Sequence, residues 1–228
     1  MKKKPVFYCE LAYVFGILAL CLGNALIERA DFGMSMVIAP AYLIHLKVSQ
    51  FLPFYSFGMS MYVLQAVLLI LLSLVVRRFK KYYLLSFVTA FIGGNVLDGA
   101  IALVDLIPFS GFGWNVGFFV VGMLCSTLGV ALLFHTYLPP EAYDLVVREI
   151  SETFKTDIGK TKSVYDLCSL AVSVVLSFVF FGFGVFMGIK WGTVICAVCN
   201  GWIIGMYSRL LEKIFVFRDG LPLREKLK

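Results

Sequence analysis

The sequence predicts an all-α, polytopic membrane helix bundle of about six transmembrane helices, arranged as two inverted three-helix repeats with short re-entrant or amphipathic helices between spans. Three observations predict it. Of the 228 residues, 61% are hydrophobic and 15% charged, where a soluble domain carries roughly 25% charged residues; mean hydropathy is +0.91. Six apolar segments, near 6–28, 56–76, 82–105, 114–137, 163–188 and 191–214, reach the ~20 residues needed to cross ~30 Å of hydrocarbon. Finally, the stretches 14–26 and 120–132 share seven identical residues in thirteen at an offset of 106: Val14/Val120, Gly16/Gly122, Leu18/Leu124, Leu22/Leu128, Gly23/Gly129, Ala25/Ala131 and Leu26/Leu132. Self-similarity at a fixed offset marks an internal repeat.

The first span follows Lys2, Lys3 and Lys4 and imitates a secretory signal, but its apolar run exceeds a signal core and its repeat mate is internal, so it reads as a retained helix. Lysine and arginine set the orientation. With the N-terminus cytoplasmic, Arg77, Arg78, Lys80, Lys81, Arg148, Lys155, Lys160, Lys162, Arg209 and Lys213 fall inside, against Arg29, Lys47 and Lys190 outside. The positive-inside rule selects that topology and places both termini in the cytoplasm. Three spans then separate the repeat copies, so they cross in opposite senses, the inverted-repeat plan of secondary transporters. Repeat 1 covers 1–108 and repeat 2 covers 109–216, with a basic tail at 217–228 and one structural domain overall. A weaker echo at offset 107 joins Ser56 to Ser163, Ala90 to Ala197 and Gly94 to Gly201.

The connections differ between copies. Residues 32–46 are apolar, too short to cross and contain Pro40, which predicts a re-entrant or interfacial helix outside. The counterpart opens on Pro139, Pro140 and Glu141 and places Tyr143, Val146, Val147, Ile150 and Phe154 on one face. That pattern predicts an amphipathic helix on the inner surface or capping the bundle.

Polar residues at membrane depth point to a site, because an ionised Asp there costs roughly 2.5–3.5 kcal/mol on the insertion scale. Asp98, with Asn95 one helical turn before it, is the clearest candidate for substrate or ion binding. Thr193 and Asn200 lie at corresponding depth in the sixth span, and a pseudo-twofold axis brings Asn200 toward Asn95 and Asp98. Asn24 and Asp31 at the end of the first span and Asp166 in the fifth complete the candidates.

Other signals carry less. Cys196 and Cys199 form a single CxxC in an apolar span, a poor zinc or redox motif; no metal site and no cofactor is expected. No phosphate-binding loop, HExxH or GxSxG motif is present, so the chain does not read as an enzyme. Net charge is +6, yet the basic residues form short clusters between apolar runs, which argues against nucleic acid as a partner. Glycines four apart, as at Gly201 and Gly205, signal close helix packing and permit a homodimer.

The LGNAL segment ending in ADFG, the basic-ended second span and the later GT and NG at 192–201 together resemble the YczE/YyaS/YitT-like family of bacterial integral membrane proteins. The resemblance implies a multi-pass protein of the bacterial cytoplasmic membrane. It departs at Met34-Ser35-Met36, which replaces an expected proline-containing turn. Three functions fit: a secondary carrier for a small solute with its site between the repeats; a substrate-binding membrane subunit dependent on a separate ATPase; and a non-transporting accessory or scaffold protein. The partners expected are the lipid bilayer and a small-molecule substrate.

Overall fold

The computed structural model describes residues 4–33, 35–55 and 57–221. Lys2, Lys3, Met34, Ser56 and the basic tail from residue 222 onward lie outside the described residues. In order come β1 (Val6–Tyr8), α1 (Cys9–Ala30), α2 (Ala39–Val48), α3 (Phe57–Val76), a 3-10 turn (Lys81–Leu84) leading into α4 (Leu85–Asp105), α5 (Phe112–Phe134), α6 (Ala142–Phe154), α7 (Ile158–Phe181), α8 (Trp191–Ile214) and β2 (Val216–Arg218). Six helices, α1, α3, α4, α5, α7 and α8, are long and apolar enough to cross a membrane. The chain is a multi-pass membrane helix bundle.

Boundaries differ from the sequence expectation where local chemistry intervenes. The first helix starts at Cys9 because Val6–Tyr8 pairs in parallel with Val216–Arg218. Beside this ladder the Glu10 carboxylate accepts from the backbone N–H groups of Gly220 and Leu221 and from the Tyr137 hydroxyl at 2.8 Å. The described segments 6–8 and 216–221 are thereby held together at one end of the bundle. The fifth long helix spans Ile158–Phe181 rather than 163–188: Asp157 caps it by accepting from Lys160 N at 3.0 Å, and Gly182 at φ 103° ends it. The sixth matches its predicted 191–214.

α1 and α5 form the tightest seam. A Cβ added at Gly23 would lie 2.3 Å from Ser126 N, and one at Gly129 would lie 2.4 Å from Leu20 N. At Gly16 it would meet the Leu133 side chain at 2.9 Å, and at Gly122 that of Ile27 at 2.9 Å. In each of these four contacts the two residue numbers sum to 149, so the helices run antiparallel. The small residues that recur in the sequence are therefore the ones that let two backbones touch.

The short helices lie inside this frame. α2, ten residues and so ~15 Å long, packs on α3 and α7. α6 also packs on α3 and α7, and touches α4 and α5. It is not a surface helix: Ala142 through Glu149 are all buried, charged Asp144, Arg148 and Glu149 included. Helical periodicity identified its apolar face correctly, but neighbouring helices cover the polar face too. α7 packs along α8, whereas among the described residues α3 and α4 barely approach each other.

Candidate functional site

A cavity of about 240 Å³ sits where α6 meets the long helices. Its wall takes Asn24 from α1, Gln65 from α3, Gly93 from α4, Ser126 and Thr127 from α5, Lys162 from α7 and Asn200 from α8, with Glu141 and Asp144 from the head of α6. A larger groove of about 640 Å³ between α3 and the start of α4 is lined mainly by apolar side chains such as Leu69, Ile70 and Phe87, with Ser73, Arg77 and Arg78 as its polar residues. Those three come from the end of α3 and the residues just after it, whereas polar groups from several helices converge on the smaller cavity, and that combination marks a solute site.

The head of α6 is fixed in place by hydrogen bonds to backbone. Arg148, buried, donates from Nη1 to the carbonyls of Thr136 and Leu138, each at 3.0 Å. Thr89 of α4 donates to Pro139 O at 2.7 Å. Burial lowers the Arg148 pKa to about 10, which leaves it charged at neutral pH. At the other end of α6, Glu149 accepts from Lys80 Nζ at 2.8 Å and from the hydroxyls of Tyr82 and Tyr83.

Lys162 is the cation of the cavity wall. Its Nζ lies 2.9 Å from Asp144 Oδ1 and 3.1 Å from Asp166 Oδ1, all three residues being buried. One ammonium thus answers two carboxylates, and the pairing offsets part of the desolvation each charge suffers. Glu141 has no such answer. Among the described residues its carboxyl makes no hydrogen bond or ion pair, and its Oε1 rests against Gly93, where an added Cβ would come within 2.9 Å. Burial, and secondarily the Asp144 charge, push its pKa up to about 8, so it carries a proton at neutral pH.

Five buried oxygens near this wall lack a hydrogen-bond donor, both carboxylate oxygens of Asp166 among them although Oδ1 lies 3.1 Å from Lys162 Nζ. Gln65, 2% exposed, donates from Nε2 to the Tyr143 hydroxyl at 3.2 Å while its Oε1 has no partner. Asn200 Oδ1 and Ser60 Oγ are likewise without a partner. Buried polar atoms are normally satisfied, so the two on the cavity wall, Gln65 Oε1 and Asn200 Oδ1, mark places where a bound molecule would donate.

The sequence candidates divide by location. Asn24 and Asn200 line the cavity, and Asp166 stands behind it on Lys162. Asn95 and Asp98 lie on the exposed side of α4, Asn95 donating to Phe91 O at 2.7 Å, while Gly94 and Leu97 between them reach the cavity wall. Asp31 and Thr193 belong to the end of the bundle away from the termini. There Asp31 pairs with Lys190 at 2.6 Å, Lys190 N donates to Thr193 Oγ1 at 3.4 Å, and Gly192 N donates to Phe32 O at 2.9 Å. Gln65, a polar residue of an apolar span, also lines the cavity, whereas Glu141, Asp144 and Lys162 are cavity residues that the sequence did not single out as a site. The i,i+4 spacing of Lys162 and Asp166 was the available signal.

Among the described residues no cluster of three or more His, Cys, Asp or Glu is placed to hold a metal ion. Residues 7–209 match the model of a family of unknown function, DUF6198. No curated protein and no solved structure matches the chain.

Proposed function

We propose that this chain, which belongs to the family of unknown function DUF6198, is a small-solute carrier of the secondary type. In this reading two inverted repeats, 1–108 and 109–216, rock about the central cavity. The observation that carries it is the cavity wall, where Asn24 and Gln65 from the first half meet Glu141, Lys162 and Asn200 from the second around acceptors without donors. The α1–α5 seam supports the repeat: Gly23 against Ser126 and Gly129 against Leu20 are one contact seen twice, each residue shifted by 106. Antiparallel α1 and α5 are what inversion requires. The placement of α2 and α6, each between α3 and α7, fits the same axis.

Alternating access needs two states of similar energy. The open α3–α4 seam and the packed α7–α8 seam are counterparts under the repeat, and exchanging them would move the opening to the other face. Asp98, with Asn95 on the exposed side of α4, serves in this reading as a proton or cation coupling group. Asp31 and Thr193 close the far end with Lys190, and Asp166 holds Lys162 in position. The resemblance to YczE/YyaS/YitT-like proteins adds a bacterial cytoplasmic membrane, with both termini in the cytoplasm.

The test is solute flux in reconstituted vesicles under an imposed proton or sodium gradient. Asp98→Asn, at an exposed position, is expected to abolish coupled flux while leaving the fold intact. Undiminished gradient-driven flux in that variant would refute its coupling role, and a wild-type protein that moves no solute under either gradient would refute the carrier.

A further inference from the structure

The charge balance of the cavity narrows its occupant. Lys162 is engaged by Asp144 and Asp166, and among the described residues no other Lys or Arg lines the wall. An anionic solute would find no free cation there and would meet Glu141 and Asp144 besides. The unpartnered wall atoms, Gln65 Oε1 and Asn200 Oδ1, are both acceptors, so a ligand satisfies them only by donating. Glu141 is the one carboxyl of the wall without a cationic partner among the described residues. A volume of about 240 Å³ equals about eight waters at ~30 Å³ each, more than a bare metal ion fills and less than a drug-sized molecule needs.

Building on the carrier reading, we infer that the cavity takes a small organic cation bearing N–H donors, and that the Glu141 carboxyl holds either this cation or a proton. The ammonium or guanidinium group sits against Glu141, and its N–H groups serve Gln65 and Asn200. Exclusivity follows from electrostatics: an ionised Glu141 with no cation is an unpaired, half-buried charge, which protonation removes. The titratable groups that face Glu141 are Tyr13 and Cys21 of α1, Tyr62 of α3, Tyr143 and Asp144 of α6, and Lys162 of α7. Asp144 and Lys162 are paired with each other, which leaves Glu141 as the carboxyl of the wall that exchanges its proton for the ligand. Each cation bound from neutral solution then releases one proton, the exchange an antiporter needs.

Calorimetric titration of the detergent-purified full chain tests this with propylammonium and a graded series of small amines, against propanol and propionate as neutral and anionic matches. The apparent affinity for an amine is expected to weaken about 50-fold from roughly pH 8 to pH 6, as a proton competes at a group titrating at about 8, with one proton released per amine bound. Glu141→Gln is expected to abolish both the pH dependence and the proton release, and Glu141→Asp to restore them in part. Each variant is checked for an unchanged elution profile, so that Glu141→Asp carries the test if Glu141→Gln does not fold. Binding of no amine at millimolar concentration, equal binding of propanol or propionate, or unaltered pH dependence in Glu141→Gln would overturn the inference. The carrier reading fails separately: amine binding with proton release but no flux in vesicles would sink transport and leave the cation site standing, whereas gradient-driven flux of a neutral or anionic solute would do the reverse.

Discussion

Adding one methyl group at Gly129 is a stringent test of the seam that organises the bundle. The new Cβ would lie 2.4 Å from Leu20 N, 2.6 Å from Gly16 O and 2.9 Å from Leu20 Cα, all backbone atoms that cannot swing aside as a side chain would. Ordinary contact begins at 3.4 Å, so α1 and α5 must part locally by about 1 Å, enough to forfeit a quarter to a half of the dispersion energy of the atoms along the gap. Overpacking of this kind costs ~1–3 kcal/mol. At ~2–4 °C per kcal/mol for a chain of this size, a central cost of ~2 kcal/mol lowers the melting temperature by about 4–8 °C. Gly23→Ala places its Cβ 2.3 Å from Ser126 N in the equivalent contact and is expected to cost as much. Because both substitutions push the same pair of helices apart, the double variant is expected to cost less than the sum. Gly94→Ala and Gly99→Ala are the controls: nothing lies within 4 Å of either added Cβ, and the helix propensity of alanine offsets any loss. Thermal unfolding of the purified protein, followed by size-exclusion fluorescence or circular dichroism, reads wild type and all five variants. If Gly129→Ala melts with wild type, or Gly94→Ala is as damaging as Gly129→Ala, the backbone-contact account of the seam is wrong.

Two further outcomes concern the charged groups. Glu141 keeps its proton in the folded protein up to a pKa of about 8 but releases it near 4.5 when unfolded; stability on its account is therefore full below the lower value and declines as pH rises to the upper one, by at most about 5 kcal/mol. Melting temperatures measured across that window are expected to slope less in Glu141→Gln than in wild type, and parallel slopes would exclude Glu141 as the source. Lys162→Met leaves Asp144 and Asp166 buried without their shared ammonium and is expected to destabilise by ~3–5 kcal/mol. Combining it with Asp144→Asn and Asp166→Asn is expected to recover much of the loss in the same melting assay, whereas a single variant that melts like wild type would mean that the triad is not buried as described.

Long-period features were legible in the sequence because they depend on composition and spacing alone. α8 runs over the predicted 191–214 since an apolar run of that length has no other way to satisfy its backbone in lipid. The recurrence of Gly16, Gly23, Gly122 and Gly129 at a fixed offset was visible in the sequence, though not that these residues face one another across one seam. The 106-residue offset likewise reappears in the pairing of their contacts. The helix at 142–154 was legible too, from Pro139, Pro140 and its apolar stripe.

What lies around a helix was not. The stripe on α6 records one face for burial, and nothing in the chain order says that Lys162 of α7 and Lys80 will close over Asp144 and Glu149 on the other, which are buried with Arg148. Lys162 read as a loop charge because the start of α7 is set by the Asp157 cap rather than by hydropathy. Asp98 stood out as a lone charge in an apolar run, yet the side of α4 it occupies depends on how α1 and α3 are placed. Sequence alone determined the membrane class and the spans, since each follows from interactions local to a helix. The tertiary structure decided which polar groups share a cavity and which lack a partner, because that meeting of Gln65, Glu141, Lys162 and Asn200 joins residues remote in sequence and depends on how seven helices pack.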